Sequence, residues 1–400
     1  MALILDKDLV GKKIQGLKED AYRCSFDCFN CTTFSPEYLP CCPAFEKYKF
    51  FTYASRGRAG LIEAYLAGNI KMTKQLAEIM YSCSLCGACR VCCQQDWSDF
   101  NLECFLAMRE ECIEKGFVAP KLRDALKNIY VNGNPYGISG EMRADWTDGS
   151  GVARYAGQEY LLFIGDEGSF DTEGQKMAKS LVAVLEKAGV SFGILGEKEI
   201  SDGHEVKMAG EFGLYDYLIE QNLELFKELG VKKIVTLSPH SYNALKHDYP
   251  NYGGDFEVVH YTTLLKELID AGTLKPSIPV NKKVAYHDPC FLGRFNDDYE
   301  VPREVIQSIP GVELIPLPRE GEKAFCCGGG GANMFTDLLS GGEDAANRIR
   351  IREIRDVGAE VVVVSCPICG IMFDDAIKIE ELEGKLELMD VSQLLLSSLP

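Results

Sequence analysis

Thiolate sulfur is a ligand for soft and borderline metal ions, and cysteines recurring at two-residue gaps can aim several sulfurs at one centre. Seventeen cysteines stand among the 400 residues: twelve between Cys24 and Cys112, five between Cys290 and Cys369, and none in between. A disulfide scaffold spreads its crosslinks through a small secreted chain, so grouped thiols in a chain this long read as metal ligands. The run Cys83-x2-Cys86-x2-Cys89-x3-Cys93 has the spacing that sends three thiolates to one [4Fe–4S] cube and the fourth to another. Gly87 leaves room for backbone amides to approach the sulfides. The missing fourth ligand is assigned to Cys42, in the Cys-Pro step Cys42-Pro43. Cys24-x3-Cys28-x2-Cys31, completed by Cys93, offers a second set, with three residues where two are usual and ten between Cys31 and Cys42. Cys41 and Cys92 are alternatives to their neighbours Cys42 and Cys93. Structural zinc also takes four thiolates, but usually from paired CxxC elements, so iron–sulfur is preferred. Cys104 and Cys112 read as buried core thiols.

The second constellation is Cys290, Cys326, Cys327, Cys366 and Cys369. Each group follows or ends a strand-like apolar run, and open α/β sheets collect their sites at the carboxyl ends of strands. Five thiolates exceed what one cube needs. They suit a larger, non-cubane assembly or a cube with one spare redox-active thiol, and all five are candidates for catalysis. Gly328 to Gly331 invites a phosphate-loop reading, which is disfavoured because no Gly-Lys-Ser/Thr follows. His287 and Asp288 are either proton relays beside Cys290 or a histidine and a turn-forming Asp-Pro.

The elements that must position these residues fall into two kinds. Residues 1 to about 130 read as mainly helical outside the cysteine loops, with a helical period over Arg58 to Met80 broken near Gly68, and further helices over Leu102 to Ile113 and Leu122 to Ile129. Val131 to Gln158 is rich in Gly, Asn, Asp and Pro and marks a linker or an ordered long loop. Beyond it, strands are predicted at 160–164, 192–195, 233–237, 284–286, 312–315 and 360–364. Helices are predicted at 174–188, 213–229, 262–271 and 337–356, an α/β alternation. This half contains an internal repeat: Ile234 to Ser241 lies over Val362 to Cys369, Glu199 to Gly203 over Ala324 to Gly328, and Gly165-Asp166 near Pro289-Cys290. Every cysteine of the second copy meets a non-cysteine in the first.

The formal charge of -18 argues against nucleic acid and for docking on basic or neutral protein surfaces. No run reaches the roughly 20 apolar residues of a membrane span, and the start lacks a basic stretch followed by an apolar block, so a cytoplasmic location is expected.

Cys290, Cys326-Cys327-Gly328 and Cys366-x2-Cys369 resemble the CCG cysteine-rich domain found in the catalytic subunits of heterodisulfide reductases. The N-terminal pattern, including Ser55-Arg56-Gly57-Arg58, resembles the ferredoxin-type domain of the same family, and the two stand in the family's order. The fold expected is therefore α+β / α/β: a helical ferredoxin-like two-cluster domain (1–130), a linker (131–158), a degenerate CCG repeat without cysteines (159–275) and a CCG domain with the C-terminal cluster (276–400). The resemblance implies two N-terminal [4Fe–4S] clusters and an unusual C-terminal [4Fe–4S] cluster, which in heterodisulfide reductases cleaves a disulfide by one-electron steps. It implies a second such cluster in the first repeat, but Asp166, Ser201, Asp202, Ser238 and Ser241 stand there, and hard oxygens replace thiolates poorly. The expected function is electron transfer within an oxidoreductase complex, exchanging electrons with a flavoprotein, ferredoxin or cytochrome subunit. The alternatives are a disulfide reductase acting on a disulfide or thiol substrate at the C-terminal site, and a zinc-stabilised assembly protein.

Overall fold

The computed structural model describes residues 39–93, 100–147 and 151–400. Cys24, Cys28 and Cys31 lie outside the described residues.

The described N-terminal part is helical. The apolar period over 58–80 resolves into two helices, α1 (Ser55–Leu66) and α2 (Lys74–Tyr81). Gly68 takes a positive φ of 77° after the first, and the Thr73 hydroxyl caps the second by accepting from the Leu76 N–H at 3.1 Å. Helix α3 (Asn101–Glu114) is buried on nearly every side, which explains its apolar residues all round. Helix α4 (Pro120–Asn132) starts with proline in its first turn and ends on left-handed Gly133.

Two four-stranded parallel sheets follow, with the same strand order. The first runs β2-β1-β3-β4, from β1 (Tyr160–Phe163), β2 (Phe192–Gly193), β3 (Lys233–Thr236) and β4 (Glu257–His260). The second runs β6-β5-β7-β8, from β5 (Lys282–Tyr286), β6 (Val312–Leu314), β7 (Val361–Val364) and β8 (Glu387–Asp390). Parallel strands covered on both faces read as unbroken apolar runs, and β7 is four buried valines. The edge strands β4 and β8 are absent from the expected set: both carry polar residues and only their last residue is buried.

Around the first sheet pack α5 (Thr172–Lys187), capped by the Asp171 carboxylate, α6 (Phe212–Leu229) and α7 (Tyr261–Asp270). Around the second pack α8 (Ala346–Asp356), α9 (Pro367–Ile379) and α10 (Val391–Ser397). The helix predicted over 337–356 begins only at Ala346, because Asp337 and Gly342 take left-handed backbone before it. Helix α5 also packs on α9 and α10, joining the two sheets' layers. The Gly- and Asn-rich stretch after α4 carries a 3-10 helix (Gly140–Thr147) with Arg143 and Trp146 buried, and Arg154 bridges to Ile194 beside β2.

One fully buried side chain ties these parts together. Arg109, on α3, donates to the carbonyls of Met80 at 3.0 Å, Met208 at 2.6 Å and Gly331 at 2.9 Å, and to that of Cys83. Charge-assisted hydrogen bonds contribute roughly 1.5–3 kcal/mol each, and a buried acceptor left unpaired costs a similar amount. Arg109→Met is expected to destabilise the protein by on the order of 3 kcal/mol or more, lowering the melting temperature by roughly 3–5 °C in thermal denaturation.

Candidate metal centre

After α2 the chain turns through Cys83 to Gly87 with two left-handed residues, Leu85 (φ 50°) and Gly87 (φ 75°). Leucine there costs roughly 1–2 kcal/mol, offset by burying its side chain in the core. The turn lets the Leu85 N–H donate to Cys83 Sγ at 3.4 Å. Cys42 precedes the short helix Pro43–Tyr48, whose proline presets the first turn. Cys42, Cys83, Cys86 and Cys89 thereby line one small cavity, together with Ser55 and Arg58. Arg58 is itself fixed by donating to Ile79 O at 2.9 Å and Ser82 Oγ at 2.8 Å, and Asn101 donates to Cys89 Sγ at 3.1 Å. Burial pushes the Cys42 thiol up to about 12. Cys41 and Cys92 pair elsewhere, with sulfurs 2.9 Å apart. Cys93 is half-buried at the end of this loop, and the three cysteines grouped with it in the sequence lie outside the described residues.

The second group forms at the carboxyl ends of β5 and β7. Cys366 ends the turn after β7 and caps α9, and Cys369, three residues on, lies on the same helical face. Cys290 follows β5 through His287-Asp288-Pro289, and Cys326 and Cys327 open the glycine loop. Cys369 and Cys327 sulfurs are 3.4 Å apart, Cys290 and Cys326 are buried in the same cluster, and the Gly328 N–H donates to Cys326 Sγ at 3.3 Å. All five sequence-predicted thiols are brought together and buried. Cys86 of the N-terminal loop is buried in the same core as Cys326, so the two groups share one seam.

Five neighbouring thiols cannot all ionise unaided, and their titrations are driven apart. Hydrogen bonds to other sulfurs, then burial, hold Cys290 and Cys369 well above the usual thiol value, and hydrogen bonds from Cys326 and Cys369 hold Cys327 well below it. Burial alone would raise Cys366, yet hydrogen bonds from Cys369 and His240 bring it down to about 5. A thiol set poised this way is suited to cations placed among the sulfurs. His287 is within 4.8 Å of Cys327 and Cys369 by ligand atom, and burial and Arg350 hold it neutral. Asp288 is a structural pin: it pairs with Arg303 and accepts the Gly321 N–H at 2.9 Å.

The glycine run is explained by close packing. A Cβ on Gly329 would meet Ile368 Cγ2 at 2.6 Å, and one on Gly331 would meet the Ser84 backbone at 2.7 Å. Arg294 completes the seam from the other side, donating to Cys86 O at 3.2 Å and Glu322 O at 2.9 Å.

In the first sheet the equivalent strand ends carry oxygen. Asp166, Ser201, Asp202, Ser238 and Ser241 line a second small cavity with Glu167. Arg143 neutralises part of it, pairing with Asp166 at 2.6 Å and Glu199 at 3.2 Å. Burial, then the neighbouring Asp166, pushes Glu167 up to about 8. This cavity also holds His204, Glu205 and His240, which sequence reasoning missed. Their signal was available in the repeat: His240 stands where the second copy has Ile368, and His204-Glu205 follow the Ser201-Asp202-Gly203 that replaces Cys326-Cys327-Gly328. Burial would depress His240, but Cys366 and Glu205 hold it well above the ordinary value.

The CCG cysteine-rich domain family matches residues 284–374, a span containing all five C-terminal cysteines. The chain is 36% identical over 333 residues to the EtfAB:quinone oxidoreductase of Syntrophomonas wolfei subsp. wolfei, covering 80% of this chain and 46% of that one. It is 35% identical to the probable iron-sulfur-binding oxidoreductase FadF of Bacillus subtilis, covering 80% and 46%. A third relative is a subunit of the dihydromethanophenazine:CoB--CoM heterodisulfide reductase of Methanosarcina acetivorans, 29% identical over 82% of this chain and 79% of that one. The chain thus spans about half the length of the first two relatives. Among the described residues no helix is long and apolar enough to cross a membrane.

Gly331→Ala is expected to cost about 1–3 kcal/mol more than Gly342→Ala, since overpacking adds to the left-handed backbone penalty only at Gly331. At Gly342 a Cβ would meet nothing within 4 Å. Parallel denaturation curves of the two variants check this.

Proposed function

Because this chain carries a CCG cysteine-rich domain and is homologous to heterodisulfide-reductase-like iron–sulfur oxidoreductases, we propose that it is the electron-transferring part of an oxidoreductase complex. The observation that carries the reading is the packing of the N-terminal cysteine loop against the C-terminal glycine loop, where Gly331 meets the Ser84 backbone and Asn333 donates to Cys83 O, which sets one thiol group against the other inside a buried seam. In this reading Cys42, Cys83, Cys86 and Cys89 hold one [4Fe–4S] cluster, Cys24, Cys28, Cys31 and Cys93 a second, and Cys290, Cys326, Cys327, Cys366 and Cys369 a third. The donor sets support the assignment: four thiols round one cavity, five at two strand ends, and N–H groups aimed at sulfur. When bound, such clusters supply one-electron transfer, with potentials set by burial and by hydrogen bonds to sulfur.

The chain's own residues do the positioning. Arg109 and Arg294 clamp the carbonyls of Cys83 and Cys86 against the glycine loop, Asn333 donates to Cys83 O at 3.0 Å, and the close-packed glycines keep water out of the seam. The burial of all five C-terminal thiols favours relay over disulfide turnover, since a substrate disulfide would have to reach sulfur through the packed loop. Residues 159–275 are proposed to be a CCG-type repeat that has lost its cluster. The shared strand order, and Gly203 matching Gly328 in left-handed backbone (φ 82° and 88°), support this. The partner is proposed to be a flavoprotein, ferredoxin or cytochrome subunit, and the likeness to an EtfAB:quinone oxidoreductase favours a partner of the EtfAB kind.

Iron and acid-labile sulfide analysis, with EPR of the oxidised and dithionite-reduced protein under anaerobic conditions, tests this reading. About twelve irons per chain are expected, falling to about eight in Cys366→Ser with the N-terminal cube signals retained. Zinc without sulfide, or loss of all iron in that variant, would overturn it.

A further inference from the structure

We propose that His204, Glu205 and His240 form a mononuclear site for a divalent ion of the zinc or iron(II) class, seated beside Cys366 and separate from the thiol groups. His204 and Glu205 begin the short helix His204–Ala209, and His240 lies in the first turn of Pro239–Asn243. Three ligand atoms face one another: His240 Nδ1 is 2.8 Å from Glu205 Oε1, His204 Nδ1 is 3.1 Å from the same oxygen, and the two nitrogens are 3.3 Å apart. Donors held at about 2.0–2.1 Å from a tetrahedral ion lie roughly 3.3 Å from each other, so this triangle is close to one face of such a site. Two histidines and a carboxylate with an open position is a donor set that zinc and non-haem iron both use.

Both imidazole nitrogens converge on one carboxylate oxygen and lie 3.3 Å from each other, so three lone pairs can be directed at one place. One cation would satisfy all three lone pairs. The surroundings are those of an oriented ligand set. The Ala332 N–H fixes the other carboxylate oxygen of Glu205 at 2.6 Å, and both imidazoles pack against the Phe291 ring, with centroids 4.4 and 4.6 Å away. His204 is 1% exposed and its Nε2 has no hydrogen-bond partner among the described residues, so the ring's polar attachments lie only on the Nδ1 side. The adjoining cavity, lined by Asp166, Glu167 and Asp202, leaves space for a water or a small oxygen ligand in the remaining position.

His240 also lies beside Cys366, and with Nδ1 turned to the triangle its Nε2 is the nitrogen left to face that sulfur. An ion on Nδ1 would fix the ring as the tautomer that donates from Nε2 to the Cys366 sulfur. The ion would thus bias the potential of whatever Cys366 holds. That consequence rests on the proposed C-terminal cluster, whereas the ion site itself does not.

The test uses the full chain purified anaerobically, stripped with EDTA, equilibrated with Zn2+ and desalted. Metal analysis is expected to give one zinc per chain, and the zinc K-edge absorption spectrum a shell of nitrogen and oxygen only. The double variant His204→Ala/Glu205→Gln is expected to lose that zinc while keeping its iron and sulfide, which report separately on the thiol centres. Zinc retained equally by the variant, no zinc in the wild type, or sulfur in the zinc shell would each overturn the proposal. Should the double variant not fold, the wild-type zinc content and absorption edge decide alone.

Discussion

A guanidinium with no carboxylate to pair with is the constraint on which the rest of the structure depends. Among the described residues every hydrogen bond of Arg109 goes to a main-chain carbonyl, and those carbonyls belong to three different parts of the chain. Burial lowers the affinity of the group for its proton but leaves it charged over any ordinary range of pH. A buried charge of this kind is tolerated only where oriented dipoles replace water, so the carbonyls must stay where they are. The position of Cys83, the path of the glycine loop and the end of the His204–Ala209 helix are therefore set together. Lysine, with a single point of charge, could not reach all of these carbonyls at once.

Two parallel sheets of the same strand order present their carboxyl ends toward a common interior, and the chemistry of those ends differs by ligand hardness. The second sheet offers five sulfurs, while the first offers carboxylates, hydroxyls and two imidazoles. Soft thiolate and hard oxygen donors select different ions. The two sets nevertheless touch: Ile368, between Cys366 and Cys369, lines the oxygen-rich cavity, and His240 reaches back to Cys366. The sheet whose strand ends carry oxygen and the sheet whose strand ends carry sulfur thus stand against each other.

The thiol groups were legible in the sequence from their short, regular spacing, and Cys83, Cys86 and Cys89 line a single cavity with Cys42. The central strands β1, β3 and β7 and the buried half of β5 were legible for a different reason, since a strand buried on both faces has to be apolar. Strands β4 and β8 were hidden, because an edge strand with one exposed flank mixes polar and apolar residues without a clean period. The His204, Glu205 and His240 group left no spacing pattern at all, being assembled from two helix starts that only the sheet brings together. Arg109 was equally silent. Nothing in a helical segment marks one arginine as the residue whose partners lie 29, 99 and 222 positions away.

The last of those separations bears on how the molecule is made. Synthesis proceeds from the amino end, so Cys83 and its neighbours leave the ribosome long before Gly331 exists to cap them. Long-range closures of this sort form late. Until then the N-terminal cysteine loop lacks its cover, which the glycine loop completes by seating Gly331 against Ser84. The contacts of Arg109 are thereby made in order of position along the chain, Met80 first, Met208 next and Gly331 last.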